Sequence, residues 1–442
     1  MKGNNTLIAI MIFSITALFL LFATSGFGQA SAGKEQFGKV VDNFFKLYNS
    51  GDTAAYRKFL EPVSDNQAQL NQMLNGFNNA WRVIGKVNIM RINPVAPDNA
   101  EVWVQDNKYD AWWKFSIYTD SLQHFKRRTI QPVPFDSYFI KSGSLTNKEL
   151  SDAVDHYIAT KLSTEFAGNV FIAKESQVIY SKSFGNTQNN QPNTFETQFD
   201  LASMGKMFTA ISILQLKDQG KLTLEDKVEK FLPALKNKAV SQVTISQLLT
   251  HTSGMGDFFG TPLWEKLKDS LHTAKDYIPL IEADHLSFEP GKGWDYSNLG
   301  FCVLAVIIEE ASGEKFDNYI NNHIFSVASM NHSTVGGGAG GGFSTVTDLQ
   351  HFSDALLGNK LLKKETTTHL LQYTVNDRYG YGTEHHMLGS ENIVGHSGGF
   401  ENVCTELNLY TKSKYTVIIL SNSNPPFGHF LSNKIKELLV RK

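Results

Sequence analysis

The segment Phe199–Pro233 reads FDLASMGKMFTAISILQLKDQGKLTLEDKVEKFLP and decides how the rest of the chain is interpreted. A helix is predicted from Ser203 to Leu216, and Lys206 follows Ser203 by three positions. In a helix, this spacing places both side chains on one face, one turn apart. A serine hydroxyl needs a nearby base to act as a nucleophile at neutral pH. We therefore interpret Ser203 as a nucleophile and Lys206 as its proton acceptor, although Ser-x-x-Lys alone is common by chance.

Two further motifs follow along the chain. Tyr296-Ser297-Asn298 precedes the apolar segment Leu299–Ala311, and His396-Ser397-Gly398 is followed by Gly399. The order Ser-x-x-Lys, Tyr-x-Asn and Lys/His-x-Gly resembles the three motifs of the beta-lactamase and penicillin-binding superfamily. Residues 145–442 also contain flanking phrases that agree with this resemblance: ISQLLTHTSGM (245–255), YSNLGF (296–301), GGFSTVTDLQHF (341–352) and GHSGGF (395–400). This part of the chain is similar to the class C beta-lactamase-related serine hydrolases.

The resemblance implies three catalytic residues. Ser203 matches the acylated nucleophile, Lys206 its proton partner, and Tyr296 a phenol that shares the role of base with the lysine. The ordinary pKa of a tyrosine is near 10, so Tyr296 needs the neighbouring ammonium to act as a phenolate.

The resemblance also implies a set of substrate-binding residues. Asn298 matches the amide that holds the substrate's own amide and orients the lysine. The backbone N–H groups of Ser203 and Gly399 correspond to the oxyanion hole. Glycines suit a strand that lies against a substrate, because a side chain there would keep the substrate away. The predicted substrate-binding strand contains His396, Ser397, Gly398 and Gly399.

His396 is a departure from true class C beta-lactamases, which have lysine at this position. Together with Tyr296-Ser297-Asn298 it is more similar to D-alanyl-D-alanine carboxypeptidases, related esterases and D-aminopeptidases. Histidine loses its charge near neutrality. We therefore expect any preference for a substrate carboxylate to fade above about pH 7. A kcat/KM for an anionic substrate that stays flat from acid to alkaline pH would exclude His396 as its anion contact.

The order of predicted elements indicates an α+β fold for residues 145–442. Strands are expected at both ends, with mostly helices between them, so the ends should pair into one antiparallel sheet flanked by helices, with a helical subdomain beside it. A cleft between these layers is the expected site. The predicted strands are 169–173, 177–183, one near Asn392, 403–410 and 416–421; the predicted helices include 203–216, 223–231, 246–249, 299–311 and 431–440.

Residues 33–140 are predicted to form a separate small domain. Apolar residues at helical spacing from Phe37 to Tyr48 are followed by a second helix over Ala54–Leu60, and a period of two begins after Lys86. Short helices before a curved antiparallel sheet, together with FFKLYNSGDTAAYRKFL (44–60), resemble an NTF2-like domain. This small α+β cone-like domain shows no catalytic constellation.

The N-terminus is predicted to be a signal peptide over residues 1–32. Lys2 precedes an apolar run from Leu7 to Phe22, and Ala30-Ser31-Ala32 has the form that a signal peptidase accepts. The alternative is an uncleaved membrane anchor, although a span usually needs about 20 residues. We therefore expect a periplasmic or extracellular protein, with membrane attachment only if the segment is not cleaved.

Cys302 and Cys404 could form a disulfide, but two buried thiols are the preferred interpretation.

Composition restricts the partners. The net charge of −2 does not favour nucleic acid or an anionic membrane. No cofactor and no metal are indicated: the glycines of 336–342 lack the Lys-Ser/Thr of a phosphate-binding loop, and His385-His386 on a strand would point apart. The glycine run is expected to be flexible, and His251 to be structural in a turn. The expected partner is a small acyl, ester or D-amino-acid peptide substrate, with peptidoglycan as a further candidate.

Two alternatives to this function remain. Leu201–Gly205 is one glycine short of the G-x-S-x-G elbow of α/β-hydrolases, which His396 would complete, but that fold requires a parallel sheet. The second alternative is a catalytically weak peptidoglycan- or penicillin-binding protein. The preferred prediction is an exported serine hydrolase that forms an acyl-enzyme on Ser203 and is D-alanyl-D-alanine carboxypeptidase-like or esterase-like.

Overall fold

The computed structural model describes residues 30–96, 98–119, 125–135 and 137–441. The chain divides into two compact units: one contains residues 164–432, and the other contains the described residues up to Ser163 together with those from Asn433 onward. The predicted signal peptide lies outside the described residues, except that residues 30–32 begin the first helix. Among the described helices, none combines the length and the apolar character needed to cross a membrane.

The smaller unit begins with helices and continues into an antiparallel sheet. The helices are Ala30–Ser50, Thr53–Leu60, Gln67–Ile84 and Asn147–Lys161. The sheet has the strand order β1-β2-β3-β4, where β1 is Val87–Ala96, β2 Asn99–Asp106, β3 Trp112–Thr119 and β4 Phe125–Pro132. Phe44, Tyr48 and Phe77 from the helices pack with Phe115 of β3, so aromatic rings form its core. The NTF2-like assignment stays a prediction.

The helix Asn147–Lys161 has the capping box that the sequence predicts. The Thr146 side chain accepts a hydrogen bond from the Glu149 N–H, and the Glu149 carboxylate accepts one from the Thr146 N–H. The Tyr157 hydroxyl of this helix donates to the Tyr109 carbonyl oxygen (2.6 Å). Compactness groups this helix with the smaller unit, and the predicted boundary at residue 145 remains a prediction from the sequence.

The larger unit contains the predicted antiparallel sheet. Its described strands are β5 Gly168–Lys174, β6 Gln177–Phe184, β9 Glu384–Leu388, β10 Glu391–Phe400, β11 Val403–Tyr410 and β12 Tyr415–Ser421, while β7 Phe199–Asp200 and β8 Phe343–Ser344 form a separate short pair. The six strands run in the order β6-β5-β12-β11-β10-β9, and every neighbouring pair is antiparallel. Strand β5 from the start of the unit pairs with β12 near its end, as the α+β prediction requires.

Helices fill the chain between these strands and confirm the mixed fold class. The described α-helices of this part are Lys206–Asp218, Val228–Phe231, Ile245–Leu249, Pro262–Leu267, Ile278–Ala283, Asn298–Ser312, Phe316–Ile320, Ser326–Ala328, Val346–Leu357 and Lys364–Leu370, and Phe427–Leu439 follows the sheet. The helix predicted over 223–231 begins only at Val228. The Asp226 carboxylate accepts the Thr223 N–H and closes a turn there instead.

The helix Lys206–Asp218 forms the centre of the larger unit. Every residue from Lys206 to Leu216 is buried, and the helix packs against Asn298–Ser312, of which Leu299–Ile308 are buried. A helix that is apolar on all sides belongs in a core rather than at a surface. The first residue of this central helix is the lysine of the Ser-x-x-Lys motif, so the core fixes the position of the motif.

Candidate active site

Ser203 lies in a tight turn that leads into the central helix. The turn is the 3₁₀ segment Ala202–Gly205, and Lys206 begins the α-helix. Ala202 has a φ of 47°, in the left-handed region that is costly for residues with a Cβ. Its N–H donates to Asp200 Oδ1 (2.7 Å), and its carbonyl oxygen accepts the Gly341 N–H (2.7 Å). These bonds hold the nucleophile turn in its strained conformation.

The run Gly336–Gly342, here called the glycine loop, packs against this turn. Thr209 Oγ1 donates to the Gly338 carbonyl oxygen (2.8 Å). Gly340 has a φ of 125°, and a Cβ there would lie 2.3 Å from the Ala202 carbonyl oxygen. Only glycine fits this approach. The sequence predicted a flexible segment; the structure instead shows a hydrogen-bonded support for the nucleophile.

Lys206 is fully buried with its ammonium group against the nucleophile. Its Nζ lies 3.2 Å from Ser203 Oγ and 2.6 Å from Asn298 Oδ1, and it also donates to the Ala339 carbonyl oxygen of the glycine loop. The Nζ is 4.8 Å from the centre of the Tyr296 ring. The lysine therefore contacts both other members of the predicted catalytic set.

Burial lowers the pKa of Lys206 to about 7, although Cys302, Asp257 and Glu384 act in the opposite direction. Removing an ammonium group from water disfavours its charged form. A lysine with this pKa is neutral in a large fraction of molecules at neutral pH. It can therefore accept a proton, which an ordinary lysine cannot do.

Tyr296 shows a pKa change opposite to the one expected from a neighbouring ammonium. Burial raises the pKa of its phenol, and a hydrogen bond with the Ser203 side chain offsets this in part. The phenol therefore stays protonated at neutral pH. In the free protein Lys206, rather than Tyr296, has a pKa that suits a base.

Asn298 is held from both ends of its amide. Its Oδ1 accepts from Lys206, and its Nδ2 donates to Asp257 Oδ2 (2.8 Å). The preceding Ser297 caps the helix, because its Oγ accepts the Gly300 N–H (2.9 Å) and donates to the Gly256 carbonyl oxygen (2.7 Å). The Tyr-x-Asn motif is therefore fixed to the start of a buried helix.

His251 contacts the same Tyr-x-Asn motif. The buried ring accepts the Ser297 N–H at Nδ1 (3.1 Å) and lies 4.3 Å, centre to centre, from the ring of Tyr296. Burial lowers the pKa of His251 well below its ordinary value, so the ring is neutral. Its backbone has a φ of 59°, which places it in a turn, as the sequence predicts.

His396 is buried in β10 with both ring nitrogens bonded within the protein. Its Nδ1 lies 2.6 Å from the Ser397 carbonyl oxygen, and its Nε2 lies 2.9 Å from the Tyr379 hydroxyl. Burial lowers the pKa of His396 and raises that of Tyr379, so a neutral ring accepts the tyrosine hydroxyl at Nε2. A substrate carboxylate would have to displace one of these bonds to reach the ring.

Glu384 is a residue of the site that sequence reasoning missed. Its Oε1 accepts the Ser397 hydroxyl (2.8 Å), its Oε2 accepts the Ser397 N–H (3.2 Å), and Oε1 lies 3.8 Å from His396 Nδ1. It reaches them because β9 pairs with β10 in a register that sets Glu384 opposite Gly395. Register is not visible in the sequence, so no local signal pointed to Glu384.

Gly398 and Gly399 continue β10 past the end of its pairing with β9. A Cβ on Gly398 would lie 2.3 Å from the Leu201 carbonyl oxygen, so the strand passes directly beside the nucleophile turn. In the described part of the chain, β9 pairs with β10 only as far as Gly395. Residues 397–399, here called the open edge, therefore have no strand neighbour on that side. The oxyanion role of Gly399 stays a prediction.

These features can be compared with known proteins. A model of the Beta-lactamase family matches residues 159–442, well over half of the chain. The chain belongs to the Beta-lactamase family. Penicillin-binding protein 4* of Bacillus subtilis is 30% identical over 313 residues, covering 58% of this chain and 68% of that protein. The putative penicillin-binding protein PbpX of the same organism is 31% identical over 311 residues, covering 62% and 75%.

Solved structures of the family agree with the fold. A penicillin-binding protein from Bacillus halodurans has a TM-score of 0.57 and 26% identity, covering 67% of this chain and 100% of that one. A D-amino acid amidase from Ochrobactrum anthropi has a TM-score of 0.57 at 18% identity, covering 66% and 98%, and supports the fold alone. The chain is a beta-lactamase-fold member of a family of serine hydrolases.

The cysteines and the possible metal ligands considered in the sequence can also be located in the structure. Cys302 and Cys404 are separate buried thiols, so the disulfide alternative is not adopted. Within the described ranges, no group of three or more histidine, cysteine, aspartate or glutamate side chains is arranged to hold a metal ion. The structure brings Ser203, Lys206, Tyr296 and Asn298 into direct contact and sets the His396–Gly399 strand beside them.

Proposed function

We propose that the protein is an exported serine hydrolase that forms an acyl-enzyme on Ser203 and is D-alanyl-D-alanine carboxypeptidase-like or esterase-like. One observation carries this proposal: the buried Nζ of Lys206 lies 3.2 Å from Ser203 Oγ, and its pKa is lowered to about 7. A base with a pKa near the working pH is the arrangement that general-base catalysis favours.

Acylation begins when the neutral Lys206 amine takes the proton of the Ser203 hydroxyl. The Oγ forms a bond to the substrate carbonyl carbon at the same time, and negative charge moves to the carbonyl oxygen. The N–H groups of Ser203 and Gly399 are the proposed donors to this oxyanion. Asn298 Oδ1 and the Ala339 carbonyl oxygen receive hydrogen bonds from the lysine and stabilise the ammonium that forms.

The leaving group departs with a proton from the Tyr296 hydroxyl. Burial raises the pKa of this phenol and keeps it protonated, so it has a proton to transfer at neutral pH. The Lys206 ammonium returns a proton to the phenolate and becomes neutral again. Water then attacks the acyl ester with Lys206 as its base, and the acid product leaves as Ser203 regains its proton.

The substrate class follows from the motifs and the relatives together. Two relatives at 30% and 31% identity are named as penicillin-binding proteins, which supports small acyl, ester or D-amino-acid peptide substrates and peptidoglycan as a partner. The same names support the alternative of a catalytically weak peptidoglycan- or penicillin-binding protein. The lowered pKa of Lys206 supports acylation of Ser203, a step that turnover and covalent penicillin binding share.

Covalent labelling tests the nucleophile. Intact-protein mass spectrometry after treatment with a fluorophosphonate or penicillin should show one adduct on the wild type and none on Ser203→Ala. The matched control is Ser270→Ala, an exposed serine of the same unit, which should label like the wild type. Lack of an adduct on the wild type would remove the acyl-enzyme proposal.

Hydrolysis assays separate turnover from binding alone. D,D-peptide, ester, β-lactam and D-amino-acid amide substrates should be tested in parallel, with Ser203→Ala as the background. Continuous product release on a peptide or ester supports the hydrolase, whereas a stoichiometric adduct that does not turn over supports the binding protein.

Export is tested on the secreted protein, whose mass should correspond to a chain that begins at Gly33.

A further inference from the structure

The Glu384 carboxylate is hydrogen-bonded to Ser397, the first residue of the open edge of β10. Glu384 holds both polar groups that Ser397 directs to this side, the N–H and the hydroxyl. These are the donors that a substrate carboxylate would need at the same place. The Glu384 side chain keeps 27% of its surface exposed to solvent. A second carboxylate at this position would meet a like charge and occupied donors.

The charge near Glu384 depends on the other groups of the site. Glu384 and Asp257 both act electrostatically on Lys206, whose lowered pKa leaves it only partly charged near pH 7. Burial keeps His396 neutral, and the raised pKa of Tyr379 keeps its hydroxyl protonated. His386 lies 4.0 Å from Glu384, at the limit of an ion pair. Among these groups, two carboxylates, Glu384 and Asp257, act on a lysine that is only partly charged.

We propose that Glu384 is a specificity-determining residue. It favours acyl substrates that bear an ammonium group within one residue of the scissile bond, and it disfavours substrates that bear a carboxylate there. This inference rests on the proposed acyl transfer at Ser203. It narrows that proposal to amine-bearing amides, peptides and esters. A cation beside Glu384 gains its attraction, whereas an anion meets its repulsion in a partly desolvated cleft.

Two series of matched substrates test the charge on each side of the scissile bond. The acyl-side series is the p-nitroanilides of D-alanine (ammonium), N-acetyl-D-alanine (neutral) and N-succinyl-D-alanine (carboxylate). The leaving-side series is N-acetyl-D-alanine joined to ethylenediamine (ammonium), glycinamide (neutral) and glycine (carboxylate). The quantity compared is the ratio of kcat/KM for the charged and neutral members within one variant, because this ratio does not depend on the amount of active protein.

The wild type should favour the ammonium member over the carboxylate member by about tenfold or more in at least one series. Glu384→Gln keeps the shape of the side chain but removes its charge, so this preference should fall to about threefold or less. Glu365→Gln, which removes the same charge from an exposed helical position of the same unit, should keep the wild-type ratio.

The outcomes separate this inference from the proposed function. Release of p-nitrophenol from p-nitrophenyl acetate, present in the wild type and lost in Ser203→Ala, establishes reaction at Ser203 independently of substrate charge. With that release present, equal rates for all charges, or a preference that survives in Glu384→Gln, overturns the role of Glu384 alone. If the wild type releases no more p-nitrophenol than Ser203→Ala, the acyl-enzyme proposal fails and the charge preference fails with it.

Discussion

The two sides of the Ser203 site differ in how exposed they are to solvent. On the inner side, Lys206 has no exposed surface, and it is enclosed by Asn298 and the glycine loop. At the open edge, the Glu384 side chain is 27% exposed. Full burial of an amine changes its pKa, whereas a partly exposed carboxylate acts on a nearby substrate through its electric field. The inner side is thus suited to moving protons, and the open edge to selecting substrates.

Removing the Lys206 amine is the strongest test of the contrast between the inner side and the open edge. Lys206→Ala should lower kcat/KM by about 10³-fold, because it removes the amine whose pKa suits a base, while the Tyr296 phenol beside Ser203 stays protonated. Steady-state hydrolysis of the best substrate from the screen measures this loss. The control is Lys217→Ala, an exposed lysine on the same helix, which should keep wild-type activity. Near-full activity in Lys206→Ala would instead favour the α/β-hydrolase elbow.

The next largest effect is expected from a change in the glycine loop, which packs against the nucleophile turn on the inner side. Gly340→Ala would force a Cβ to within 2.3 Å of the Ala202 carbonyl oxygen at a φ of 125°, so the nucleophile turn must shift. We expect the free energy of unfolding to fall by about 3 kcal/mol, measured by urea denaturation. The matched control is Gly337→Ala in the same loop, where the nearest atom would be an ordinary 3.6 Å away. Equal stability of the two variants would contradict a tightly packed glycine loop.

Much of the larger unit was predictable because its signals are local. The strand Val403–Tyr410 has the predicted bounds, and the helix Asn298–Ser312 differs from its prediction by one residue at each end. Both are long apolar segments with clear ends, the second marked by Ser297 as its cap and Gly313 in the left-handed region. The three motifs likewise identified the residues that surround the nucleophile.

The rest depends on contacts between distant parts of the chain. Glu384 reaches Ser397 through a strand register, and Tyr379 reaches His396 across 17 positions, neither of which a local pattern can show. The glycine loop was misjudged as flexible because its order comes from hydrogen bonds to the central helix and the nucleophile turn. The raised pKa of Tyr296 was also missed, since it reflects burial rather than the neighbouring ammonium.

The smallest expected effect, counted per pH unit, is a dependence of stability on pH. The pKa of Lys206 falls from 10.5 in the unfolded chain to about 7 in the fold, so between these values the unfolded state binds more protons than the folded state. The contribution of this lysine to the free energy of unfolding therefore rises with pH from about 7 to 10.5, by at most about 1.4 kcal/mol per pH unit.

Lys206→Met should remove this slope, because it replaces the buried amine with an apolar side chain of similar length. Chemical denaturation of both proteins at several pH values between 7 and 10 measures the difference. Lys217→Met serves as the control, since an exposed lysine has no comparable desolvation. If wild type and Lys206→Met gave parallel curves, the amine would be hydrated in the fold. The contrast between a proton-transferring inner side and a charge-selecting open edge would then be lost.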